Sequence, residues 1–114
     1  MAMANANPLT RIQGHTIVRH MELVVDPATW ISDLRLRLSS GEALGSSSVE
    51  VVFEDVSELC LRGLGGGLTQ LLYLEAEDHR PDQLDRIKFR VKELERDSLS
   101  LSCAAIRIEP AGPG

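Results

Sequence analysis

The sequence predicts an all-β fold: a mainly antiparallel β-sandwich or flattened barrel of about seven strands, with at most one short helical turn. Three observations carry that prediction. Leucines, valines and isoleucines recur at every second position in short runs, which is the periodicity of a half-buried strand. The runs are separated by Ser/Gly-rich or very short connections, which suit antiparallel neighbours. No strand–helix–strand spacing of the kind that builds a parallel sheet is present. A chain of 114 residues can bury one modest core and not two. Residues 12–109 are therefore expected to form a single β domain, between a flexible leader (1–11) and a flexible tail (110–114, Pro-Ala-Gly-Pro-Gly).

In chain order, residues 15–25 put Ile17, Met21, Leu23 and Val25 on one face, interrupted by Arg19. Leu34, Leu36 and Leu38 alternate with Arg35 and Arg37, and Val49, Val51 and Phe53 stand opposite Glu50 and Glu54. Leu59 and Leu61 flank Cys60, with Glu58 and Arg62 outward; Leu72, Leu74 and Ala76 alternate with Tyr73, Glu75 and Glu77. Leu99, Leu101 and Cys103 alternate with serines until the parity slips to Ile106 and Ile108, which is what a β-bulge produces. The connections at 39–48, 63–67 and 96–98 are the Ser/Gly-rich loop, the glycine bend and the tight hairpin of this scheme.

Residues 81–96 fit two periods. Leu84, Ile87, Val91 and Leu94 fall at helical spacing behind Pro81 and Asp82, whereas Ile87, Phe89 and Val91 alternate with Lys88, Arg90 and Lys92. A helix would leave the Phe89 ring off the apolar stripe, so a strand is expected over 86–95, with a helical turn at 81–85. Glu75 and Glu77 would then face Lys88, Arg90 and Lys92 across neighbouring strands, and Glu50 would face Arg35 or Arg37.

The formal charge is −5, and it is concentrated. Residues 54–85 carry eight acidic side chains against Arg62 and Arg80. An acidic chain repels phosphate backbones, and Trp30, Phe53, Tyr73 and Phe89 are too few to build a stacking platform, so nucleic acid is an improbable partner. No apolar run is long enough for a membrane helix, and residues 1–11 lack the features of a secretory signal. Two cysteines, Cys60 and Cys103, are fewer than disulfide-dependent secreted domains use. The expected location is cytoplasmic.

No organised reactive centre is visible. His15, His20 and His79 lack metal-ligand spacing, and Asp78, His79 and Asp82 read as a solvated acidic loop. No GxSxG occurs, and the run Arg62-Gly63-Leu64-Gly65-Gly66-Gly67 lacks the Lys-Ser/Thr continuation of a phosphate loop. No catalytic, cofactor or metal residue is therefore assigned, and the protein is read as non-enzymatic. Trp30 is expected in the core, because the chain has so few aromatic rings to fill one.

The run Val-Glu-Val-Val-Phe-Glu-Asp-Val-Ser-Glu-Leu-Cys-Leu at 49–61 and the ending Leu-Ser-Leu-Ser-Cys-Ala-Ala-Ile-Arg-Ile at 99–108 resemble segments of small bacterial all-β proteins. Those families are largely of unknown function and include immunity-type proteins of polymorphic-toxin systems. The resemblance spans about half the chain and implies a bacterial β domain that binds a protein; it transfers no site residue. The charge pattern suggests where such binding would occur: an acidic surface of Glu54, Asp55, Glu58, Asp78, Asp82 and Asp85, facing a basic partner. A small-molecule-binding β module, with Trp30, Tyr73 and Phe89 lining a cavity, is the alternative. Homodimerisation through an open strand edge such as 15–25 is a third possibility.

Overall fold

The computed structural model describes residues 8–12, 14–43, 45–78 and 88–110. They form a 3-10 turn, Pro8–Ile12, and eight strands: β1 Ile17–Val25, β2 Ser32–Ser39, β3 Ser48–Glu54, β4 Ser57–Leu61, β5 Leu74–Asp78, β6 Phe89–Glu93, β7 Leu99–Cys103 and β8 Ala105–Pro110. Two four-stranded antiparallel sheets result, ordered β1-β2-β3-β8 and β4-β7-β6-β5. They do not close into a barrel. No helix among these residues is long and apolar enough to cross a membrane.

The parity slip after Cys103 has a larger cause than the expected bulge. At Ala104 the chain leaves the second sheet and enters the first, so the side chains before and after it reach the core from opposite sides. The β3–β4 connection makes the same crossing beside it: Glu54 pairs with Ala105, Ser57 pairs with Ser102, and Ala104 N donates to Glu54 O at 2.8 Å. A single bent ribbon, β3–β4 against β7–β8, therefore belongs to both sheets. Asp55 makes the bend at φ 57°, a left-handed conformation that aspartate tolerates better than most residues. A bulge does occur elsewhere, between Val18 and His20. It absorbs Arg19, the residue that interrupts the pattern, and moves Val18 rather than Ile17 onto the face shared with Met21 and Leu23.

Between the sheets lie Leu34, Leu36, Leu38, Val51 and Phe53 from the first and Leu74, Ala76, Phe89, Val91, Leu99, Leu101 and Cys103 from the second. Burying each of the large side chains contributes roughly 1.5–3 kcal/mol. Leu9 and Ile12 of the 3-10 turn are also in this core, so the part of the expected leader from Pro8 onward is folded structure. Val52 is fully buried although it points to the outer side of the first sheet. Its cross-strand neighbours are Arg35 and Arg107, long side chains whose aliphatic stems can cover apolar surface.

Within the ambiguous segment Phe89–Glu93 is strand, with Phe89 and Val91 buried and Arg90 and Lys92 reaching solvent, whereas 94–95, expected in the same strand, belong to a turn over 94–96. Residues 79–87, with the expected helical turn at 81–85, lie outside the described residues. Glu75 stands opposite Lys92 and Glu77 opposite Arg90, as expected. Glu50 pairs in register with Arg37 and forms an ion pair with Arg35 at 3.6 Å. Several apolar residues depart from the pattern: Leu23 and Val25, expected on the inward face of the first strand, are exposed. Leu72 is exposed while Leu71 is buried, because residues 70–71 bridge to β1 (Leu71 N to Thr16 O, 2.8 Å) before β5 begins. Leu61 ends the edge strand β4 and is also exposed. Trp30, expected in the core, is 75% exposed.

Candidate functional site

The position of Trp30 follows from local hydrogen bonding. Between β1 and β2 the chain turns through 26–31, where Asp26 Oδ1 accepts from Ala28 N (2.8 Å) and Thr29 Oγ1 accepts from Ile31 N (3.2 Å). The backbone closes the same turn: Asp26 O accepts from Trp30 N (2.7 Å), and Ile31 O from Asp26 N (2.9 Å). With its polar backbone groups held this way, Trp30 takes φ 62° and carries its ring outward. The local Asp and Thr bonds therefore prevail over the ring's tendency to seek the core.

The acidic candidates are distributed unevenly around this turn. Glu54 and Asp55 sit at the β3–β4 crossing, and Asp78 ends β5 opposite Phe89, whose other neighbour is Cys103 of the second crossing. These three therefore share one end of the molecule. Glu58 lies further into the second sheet, where its Oε1 accepts from Arg90 Nη1 (3.0 Å) and Ser102 Oγ (3.3 Å). Asp82 and Asp85 lie outside the described residues. Glu54 holds Arg107, whose Nη1 also reaches Glu109 Oε2 at 2.9 Å; the hydrogen bond to Glu54 is the main cause pushing the Arg107 pKa up.

Two acids that the sequence reading did not select complete this end. Asp33 Oδ1 accepts from Asp55 N at 3.1 Å, and Val56 N donates to Ser32 O at 2.7 Å. The acidic crossing is thus fastened to the first two residues of β2, directly after the Trp30 turn. Asp26 occupies the other side of that turn. The sequence signal that could have revealed this arrangement is Asp26-Pro27-Ala28-Thr29 itself, a side-chain-capped turn motif.

Over residues 10–109 the chain matches the family described as Immunity protein PIM8. It belongs to that family. The PIM8 match runs from Thr10 in the 3-10 turn to Glu109 in β8 and so includes all the strands, the Trp30 turn and the acidic crossing. No curated protein and no solved structure matches the chain.

Other concave regions of this PIM8 chain differ in character. A cavity of about 220 Å³ is lined by Leu9, Ile12, His15, Leu71 and Tyr73, among others. It includes Tyr73 but not Trp30 or Phe89, so the expected aromatic lining is not assembled. His15 Nε2 lies 2.9 Å from Ser47 Oγ, and His15 Nδ1 is buried without a partner. A charged depression of about 610 Å³ on the outer face of the first sheet is bounded by Arg19, His20, Glu22, Arg35, Arg37 and Glu50. Among the described residues no three His, Cys, Asp or Glu side chains gather as a metal site. Cys60 is exposed, and burial pushes the Cys103 thiol up to about 12.

Proposed function

We propose that this chain neutralises a toxin in the bacterial cytoplasm by binding it, without catalysis of its own. The acidic end at Glu54, Asp55 and Asp78 would meet a basic surface of the toxin. Membership of an immunity family carries the reading, and the gathering of Glu54, Asp55 and Asp78 at the end where both sheet crossings meet supports placing it there. Long-range attraction between unlike surfaces speeds encounter and is weakened by salt. The test is growth rescue by co-expression with the toxin encoded beside the gene, followed by titration of the purified pair at low and high salt. Rescue, with binding that weakens as salt rises and falls further in the Asp55→Asn/Asp78→Asn variant, is the expected result. No binding at low salt would remove the acidic end from the reading.

A second reading, as a small-molecule-binding module, is favoured by the unpartnered His15 Nδ1 beside the 220 Å³ cavity. That volume is below the range usual for ligand pockets, about 300–1,000 Å³. A thermal-shift screen in which no metabolite raises the unfolding temperature would dismiss it.

A further inference from the structure

The geometry points to the β1–β2 turn as the apolar anchor of the docking surface, with Trp30 inserting into a basic, pocketed surface of the toxin; this rests on the toxin-binding reading above. Leu23, Val24, Val25, Trp30 and Ile31 are all exposed. They flank the turn at 26–29, three at the end of β1 and two at the approach to β2. Strand β1 is at the edge of its sheet. Among the described residues only its beginning is covered, by the bridge to Gln70 and the bond from Val18 N to Thr69 O. Toward its end an inward position such as Leu23 and an outward one such as Val24 are both left in solvent. Large exposed apolar surface of this kind marks interaction sites, and tryptophan is the residue type most enriched among binding hot spots.

The charge around the patch selects its occupant. Among the described residues, Asp26, Asp33, Glu54, Asp55 and Asp78 lie at this end, against Arg107 and Lys88. A second copy of this chain would bring those carboxylates against their own equivalents, whereas a basic partner would meet opposite charge while covering the ring. The turn is held by hydrogen bonds at 26–31, and the acidic crossing is fastened to Ser32 and Asp33. The anchor and its charged rim are therefore already in place, which lowers the ordering cost of association.

Trp30 is the only tryptophan in the chain, so labelling with 5-fluorotryptophan gives a single ¹⁹F resonance at the site. The probe is the purified toxin domain encoded by the adjacent gene. The expected result is that this resonance shifts on adding the toxin, and that Trp30→Ala weakens binding by at least ~30-fold without lowering the thermal midpoint. Trp30→Phe recovers part of the loss. Toxin binding with an unmoved resonance, and with Trp30→Ala within about twofold of wild type, overturns the anchor and leaves the function standing. Absence of any wild-type binding at low salt overturns both. A resonance that moves with the protein's own concentration, together with a dimer in sedimentation, assigns the patch to a second copy and also overturns the proposal.

Discussion

Glu93 offers the sharpest test of how this fold is held together. It is 1% exposed, an unusual place for a carboxylate. Its Oε1 accepts from Arg96 N (2.8 Å), Ser98 N (3.3 Å) and Ser98 Oγ (3.2 Å), and its Oε2 from Glu95 N (3.1 Å) and Tyr73 N (3.3 Å). One side chain thus satisfies the turn between β6 and β7 and the backbone entering β5. Burial pushes its pKa up, but the four backbone amides outweigh that and leave it below the ordinary 4.5. Glu93→Ala removes the acceptor and leaves the buried Ser98 amide unsatisfied, while the amides of exposed Tyr73, Glu95 and Arg96 can turn partly to water. One orphaned buried donor costs about 1–3 kcal/mol, and the lost charge-assisted bonds add to it. A total of ~3–5 kcal/mol is expected, a large share of the ~5–15 kcal/mol that holds a domain of this kind.

Equilibrium urea unfolding measures this directly, as a lower midpoint with an unchanged slope. Glu93→Gln restores one acceptor but turns an NH₂ toward amide donors, so it should recover only part of the loss. The pH dependence has a fixed sign. A carboxyl whose folded pKa lies below its unfolded value contributes stability that is fully present above the unfolded value, near pH 4.5, and lost as pH falls through the folded one. The gap between wild type and Glu93→Gln should therefore be widest at neutral pH and narrow below about pH 4.5. A Glu93→Ala variant within about 1 kcal/mol of wild type, or a Gln gap constant from neutral to acid pH, would refute this account.

Leu71→Ala should cost ~2–5 kcal/mol and Leu72→Ala under ~1 kcal/mol in the same assay, because Leu71 is buried and Leu72 is not. Leu9→Ala should behave like Leu71→Ala, showing the 3-10 turn to be part of the cooperative unit. In the native protein one thiol should react promptly with a disulfide reagent at mildly alkaline pH: the exposed Cys60 reacts, while Cys103, buried and pushed up to about 12, waits for unfolding. Asp33→Ala removes the acceptor of Asp55 N, so hydrogen exchange at the Asp55 amide should accelerate by about tenfold. An unchanged rate would show that this bond does not hold the crossing.

Alternation made most of the two sheets legible, since leucines at 34, 36 and 38 can satisfy period two in only one way. It also carried the strand at 89–93, where Phe89 decided between two periods. Two features that escaped it share a cause: the deciding contact is with backbone far away in sequence. Leu71 displaces Leu72 from the core because its amide is engaged by Thr16, and Glu93 accepts from amides up to twenty residues distant. The step at Ala104 reads as a bulge in the sequence because a change of sheet and an extra residue shift parity identically. At the candidate site, the charge excess of 54–85 singled out Glu54, Asp55 and Asp78, which the fold places at one end. Trp30 was misplaced because a composition argument about scarce aromatics ignored the Asp and Thr that hold its turn.

The two crossings explain why recognition would concentrate at one end of this molecule. A strand pair that bends between sheets leaves backbone groups that neither regular ladder can satisfy, and acceptors outside the ladders must meet them. Here Asp33 and the Ser32 carbonyl do so, accepting from Asp55 N and Val56 N, and this fastens β2 to the bend. Asp55 adopts its left-handed conformation in the same place. The Asp33 carboxylate that completes the bend therefore lies directly after the turn whose capping bonds expose Trp30. The exposed ring and the carboxylate beside it are thus tied to how the backbone of the turn and the bend is satisfied. A binding surface built on them would be rigid because the fold requires it to be, whatever partner it meets.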